Sequence, residues 1–180
     1  MDLGFEGATA VVTGGSKGMG LAIAETLGAE GASVAIMARG QQGLDAAAER
    51  IRAAGAPEVL ALSVDMADAA SIAAGYAAVE EAWGRLNALV HAVGPGAGSF
   101  DELDDDDWHA AFDLGTMSAV RSVRAALPML RAADWARIVT LSAHSIQRQS
   151  PRLVAYTAAK AALSSFTRIS RKALGPKESS

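Results

Sequence analysis

Short β-rich runs and helical stretches take turns along nearly the whole chain, and this alternation constrains the fold more than any other feature. Ala8-Thr9-Ala10-Val11-Val12-Thr13 reads as a first strand; a glycine-rich turn and a helix from about Met19 to Glu30 follow. Gly31 stands where a helix C-terminal glycine belongs. Ser33 to Ala38, Val59 to Val64, Leu86 to Val93 and Arg137 to Leu141 read as further strands. Helices are predicted over Gln41 to Ala54, Ala69 to Trp83, about Asp106 to Leu130 with a break at Gly115, and Val154 to Leu174. The fourth strand is apolar apart from Asn87 and His91, which suits a parallel sheet covered on both faces. Right-handed strand–helix–strand units then imply an α/β fold, a doubly wound parallel sheet in three layers. No linker interrupts the rhythm, so residues 1–180 read as one domain.

Composition narrows the chemistry. There is no cysteine, which excludes a disulfide scaffold, a thiolate nucleophile and Cys-ligated zinc. Hydrophobic residues make up 51% but aromatic ones only 5%, so the core must be built from Ala, Val, Leu and Ile. The net charge of −4 does not suit a nucleic-acid partner. It is unevenly spread, −13 over residues 1–120 and +9 over 121–180, and reads as two solvated surfaces that neutralise each other in the fold. Asp101-Glu102-Leu103-Asp104-Asp105-Asp106-Asp107 reads as a helix start rather than a metal site, since carboxylates cap free N–H groups and favour the positive end of the dipole. The N-terminus lacks the pattern of a signal peptide, and no run approaches the roughly 20 apolar residues of a membrane span. A soluble, cytoplasmic protein is expected.

Three short motifs carry the functional reading. Thr13-Gly14-Gly15-Ser16-Lys17-Gly18-Met19-Gly20 lies between the first strand and the first helix. Glycines at 14, 18 and 20 allow a tight turn and close backbone approach, and the helix N-terminus favours a pyrophosphate. That context points to a dinucleotide, with Ser16, Lys17 and Met19 in the same seat. The second strand ends in Ala38-Arg39, with no acidic residue to hold free ribose hydroxyls. Arg39 and Lys17 instead suit a 2′-phosphate, so NADP(H) is expected over NAD(H). Finally, Tyr156-Thr157-Ala158-Ala159-Lys160 puts a phenol and an ammonium on one helix face, where the cation favours the phenolate.

Together these residues resemble the short-chain dehydrogenase/reductase family, of the NADP-preferring kind that includes keto-acyl reductases. The resemblance covers nearly the whole chain. Thr13 to Gly20 is similar to the family's TGxxxGxG, and Tyr156 and Lys160 to its YxxxK pair. Asp65, in Val64-Asp65-Met66, matches the residue that contacts adenine, and Met66 is expected beside it in the cofactor seat. His91-Ala92-Val93-Gly94 stands where Asn-Asn-Ala-Gly is usual, which brings Ala92 and Gly94 to the same seat. The long helix carries the Ala-x-x-Pro ending at Ala125 to Pro128.

The resemblance implies a Rossmann fold and an NADP(H)-dependent oxidoreductase that interconverts a small-molecule carbonyl and an alcohol. Tyr156 would exchange the proton, and Lys160 would hold the ribose and support the phenol. The family's catalytic Asn falls on Gly115, and its catalytic Ser, thirteen residues before the Tyr, falls on Ala143. Ser142 is the expected replacement donor, with His144 and Ser145 as neighbouring candidates. The match continues through Gly175-Pro176-Lys177 and stops at Ser180, so the family's last two strands and substrate lid are expected to be missing. The fifth strand would then be an exposed edge. A homodimer or homotetramer through the long helix and the last helix is implied. The alternative is an impaired NADP(H)-binding module or inactive partner subunit.

Overall fold

The computed structural model describes residues 3–174. Five strands form one sheet: β1 (Thr9–Thr13), β2 (Ser33–Ala38), β3 (Val59–Ser63), β4 (Ala88–His91) and β5 (Arg137–Thr140). Their order is β3-β2-β1-β4-β5, and every pairing is parallel. Val11 of β1 lies opposite Ala35 of β2 and Leu89 of β4, which fixes the central register. All strand C-termini therefore meet at one edge. From β1 the chain crosses toward β2 in one direction and later returns to β4 on the other side, which opens a crevice at that edge.

The helices are α1 (Gly18–Ala29), α2 (Gln41–Ala54), α3 (Ala69–Trp83), α4 (Asp105–Phe112), α5 (Ser118–Ala132) and α6 (Val154–Leu174). Successive side chains of β1 serve opposite faces, as strand geometry requires. Ala10 and Val12 join Leu21, Ala24 and Leu27 of α1 and Leu44, Ala47 and Ile51 of α2 in one buried cluster. Val11 joins Ile72, Tyr76 and Val79 of α3 and Val123, Ala126 and Met129 of α5 in the other, with Phe166 of α6 packed against it. These are the three expected layers. Small side chains dominate the contacts, and only Tyr76 among the aromatic residues is fully buried.

Most expected elements lie within two residues of their observed bounds. β4 is shorter than Leu86 to Val93; just before it, the Asn87 side chain ties neighbouring segments together, its Oδ1 accepting from Thr9 N at 3.0 Å and its Nδ2 donating to Trp135 O at 3.0 Å. The acidic run starts α4 through a capping box between Asp104 and Asp107. The break anticipated at Gly115 is a π turn, Asp113–Met117, between α4 and α5. β5 is an edge among the described strands, with Val139 50% exposed. The expected continuation over Gly175 to Lys177 lies outside the described residues.

Candidate cofactor and catalytic site

At the crevice, β1 runs out at Thr13 into the glycine turn. Gly14 has φ +74°, and a Cβ there would come 3.0 Å from the Ala92 carbonyl oxygen at the end of β4. A side chain at Gly20 would collide with the Gly14 carbonyl. The turn, the first helix and the end of β4 therefore meet backbone to backbone. The first turn of α1 carries no acidic residue, and no side chain caps it. Its amides form an uncapped, positively polarised end suited to an anion.

A cavity of about 620 Å³ opens over this end. Small-molecule sites typically span about 300–1,000 Å³. Gly14, Ser16, Lys17, Gly18, Met19 and Gly20 line it from the turn, Arg39 from the end of β2, Asp65 and Met66 from beyond β3, and Ala92 and Gly94 from beyond β4. Lys17 and Arg39 are exposed, so their charges face solvent and cavity without an ion-pair partner among the described residues. Asp65 Oδ1 accepts from Ala67 N at 3.0 Å, which shapes the loop beside it. Leu114 and Gly43 line the cavity too. Sequence reasoning missed both, since nothing local marks them. The backbone fits a dinucleotide: its closest approaches are all at glycine, and two cations flank the mouth.

Tyr156 and Lys160 stand behind this cavity rather than in its lining. They share a face of α6 that packs on Gly94: a Cβ at Gly94 would lie 3.0 Å from Lys160 Cε and 3.4 Å from Tyr156 Cε2. Gly94 is thus cavity wall on one side and seat of the pair on the other. Tyr156 is half-buried, whereas Lys160 is only 3% exposed. The ammonium donates to the carbonyls of Val93 and Leu141, both at 2.7 Å, and so ties together the ends of β4 and β5. No carboxylate balances it among the described residues, and burial brings its pKa down from 10.5 to about 8.

His91 is fully buried just before this region. Its Nδ1 lies 2.9 Å from Thr13 Oγ1 and its Nε2 3.0 Å from Ser118 Oγ. Ser118 has one proton and donates it to Leu114 O at 2.6 Å, so it accepts from His91 Nε2. Nδ1 then accepts from Thr13. Burial first, and the nearby Lys160 charge second, bring the His91 pKa down to about 3, so the ring is neutral. This ring joins the last residue of β1 to the first residue of α5. The sequence showed it as a polar residue in an apolar strand and as a departure from the family's Asn-Asn-Ala-Gly, without its partners.

The two departures from the family pattern have physical counterparts. A Cβ at Gly115 would come 2.7 Å from Ala159 Cβ and 3.2 Å from Pro95 Cδ, so the space an Asn would need is filled. Ser142, the expected replacement donor, sits just beyond β5. Its hydroxyl is 2.6 Å from Ser164 Oγ on the flank of α6, and it does not line the cavity. Ser145 is buried and accepts from Thr157 Oγ1 at 2.9 Å, while His144 is exposed. Ser164 stands one turn beyond Lys160 on the same face of α6, and its hydroxyl also reaches Lys160 O at 3.1 Å, whereas Thr157 lies beside that face. Among the described residues no cluster of three or more His, Asp or Glu side chains is placed to hold a metal, and no helix is long and apolar enough to cross a membrane.

Comparison with known proteins gives the same picture. The chain is 30% identical over 166 residues to dehydrogenase/reductase SDR family member 4 of Caenorhabditis elegans, covering 91% of this chain and 64% of that one. An L-sorbose reductase from Gluconobacter frateurii, solved with NADPH and L-sorbose, superposes with a TM-score of 0.92 at 31% identity, over 97% of this chain and 66% of its own. A variant of the actinorhodin polyketide ketoreductase with NADPH does so at 0.87 and 30%, over 93% and 65%. The chain thus spans a little under two thirds of the length of these relatives. The family model described as short chain dehydrogenase matches residues 8–178, and on that match the chain belongs to the short-chain dehydrogenase/reductase family.

Proposed function

We propose that this chain is the cofactor-binding and proton-transferring portion of an NADP(H)-dependent oxidoreductase that interconverts a small-molecule carbonyl and an alcohol. The observation that carries the reading is Gly94, whose one residue separates the glycine-turn cavity from Tyr156 and Lys160. NADP(H), when bound, supplies or accepts the hydride. The uncapped turn at Gly18 to Gly20 holds the pyrophosphate. Lys17 and Arg39 hold the 2′-phosphate, and Asp65 and Met66 flank the adenine. Tyr156 gives or takes the proton at the substrate oxygen. Lys160 supports this from below: two of its three N–H groups are committed to carbonyls, which fixes the ammonium in place and leaves one donor for the cofactor side. An even-numbered assembly through α5 and α6 goes with this reading.

A second reading has specific support. Gly115 is packed shut, and neither Ser142 nor Ser145 lines the cavity. Preformed donors at a developing oxyanion change rates by about 10²–10³ each. Their loss leaves cofactor binding intact and slows turnover, which makes the chain an NADP(H)-binding module. Titration of NADPH fluorescence, followed by NADPH consumption over a panel of ketones and aldehydes, separates the two. Consumption that falls at least about a hundredfold in Tyr156→Phe supports the enzyme. Saturable binding with no consumption supports the module. Consumption unchanged in Tyr156→Phe contradicts the mechanism.

A further inference from the structure

The Arg121 side chain hydrogen-bonds to both the adenine-side loop and the π turn. Its Nη1 donates to Ala67 O at 3.0 Å, and its Nη2 to Asp113 Oδ1 at 2.9 Å. Ala67 directly follows Asp65 and Met66, which line the cavity, and Asp113 directly precedes Leu114, which lines it from another element. The π turn makes this reach possible. In a regular helix, residues seven apart return to nearly the same face and residues eight apart do not. One extra residue in the turn shifts that register, so Asp113 and Arg121, eight apart, share a face.

The geometry points to Arg121 as a positioning residue that pins the Asp65–Ala67 loop to the π turn and so presets the width of the adenine end of the cavity. This rests on the NADP(H) reading above. The Arg121–Asp113 pair is partly exposed, at 23% and 45% of the side-chain surface, so its own Coulombic contribution is small. Its consequence lies in where it holds the loop. A planar guanidinium spans the carbonyl and the carboxylate together, which the single point charge of a lysine cannot do.

The test uses the whole chain and the adenine half of the cofactor alone. Arg121→Ala is expected to weaken both 2′,5′-ADP and NADPH by about five- to tenfold. It is also expected to speed amide exchange over residues 65–68 in the ligand-free protein, with little change in melting temperature. Asp113→Asn, at an exposed carboxylate, reads the same clamp from its other end and is expected to weaken 2′,5′-ADP in the same direction; Arg121→Lys is not expected to rescue. If the parent binds 2′,5′-ADP and both Arg121→Ala and Asp113→Asn bind it within twofold, the clamp is overturned and the cofactor reading stands. A parent that binds neither 2′,5′-ADP nor NADPH overturns the cofactor reading and the clamp with it.

Discussion

His91 shows how much one buried side chain can constrain. Its pKa lies near 3 in the fold against 6.5 in the open chain. Between those values the unfolded chain binds more protons than the folded one, so stability is full above about pH 6.5 and declines as pH falls toward 3. From pH 7 to pH 5 the loss amounts to about 2 kcal/mol. Urea unfolding across that window measures it. His91→Asn, which cannot titrate, is expected to flatten the dependence; the other histidines, His109 and His144, are exposed. An unchanged acid slope in the variant would show that His91 is not the group responsible. At this scale the sequence was uneven as a guide. Tyr156 and Lys160 were legible because four residues of helix fix their relation locally. The partner of Ser142 was not legible, because the direction of a hydroxyl at a strand end is set by the helix it meets, here by Ser164. Arg121 escaped notice and the bonds of His91 were not legible, because Ala67 lies 54 residues from the one and Thr13 78 residues from the other.

Between elements, the decisive feature is the π turn that splits the long helix. Gly115 at its centre allows Ala159 of α6 and Pro95 of the loop after β4 to close on it. Thr116 Oγ1 donates to Ala159 O at 2.8 Å from the same turn. Restoring the family's asparagine by Gly115→Asn therefore meets an occupied space. The expected cost is about 1–3 kcal/mol from overpacking, partly offset by the helix preference of a non-glycine residue. Urea denaturation measures it, and Ala159→Gly in the same chain is expected to recover part of the loss. A variant as stable as the parent would mean that α6 does not hold this position. The helix break was visible in the sequence as a lone glycine inside a helical pattern. Its π character was not, since that depends on what α6 presses against it. Element order and type were legible throughout because period-2 and period-3.6 patterns alternate cleanly. The part played by Asn87 was not, because its partners Thr9 and Trp135 are both distant in sequence.

In the whole molecule, the five strands set a crevice at their C-terminal edge, and the chain places its glycine turn, two cations and an aromatic–lysine pair around it. The expectation that the acidic first two thirds and the basic last third neutralise each other has one direct link among the described residues, the Arg121–Asp113 pair. The other ion pair, Arg50–Glu25, lies within the acidic part, and Lys160, Arg52, Arg85 and Arg137 donate to backbone carbonyls. The exposed β5 edge adjoins a groove of about 450 Å³ between α5, β5 and α6, lined by Val123, Leu127, Leu130, Ile138 and Phe166.

The central claim is that the first turn of α1 seats the phosphates of a dinucleotide. Met19 lies in that turn, lines the cavity and is 70% exposed, so Met19→Glu adds a carboxylate where phosphates would sit without disturbing the core. An acidic residue in a first turn also suits the helix dipole. Equilibrium titration of NADPH, with NADH for comparison and melting temperature as control, is the direct measurement. The account predicts saturable binding that favours NADPH, weakened about tenfold or more by Met19→Glu at an unchanged or higher melting temperature. NADPH binding of equal strength in the parent and in Met19→Glu, or no binding by the folded parent, would contradict it.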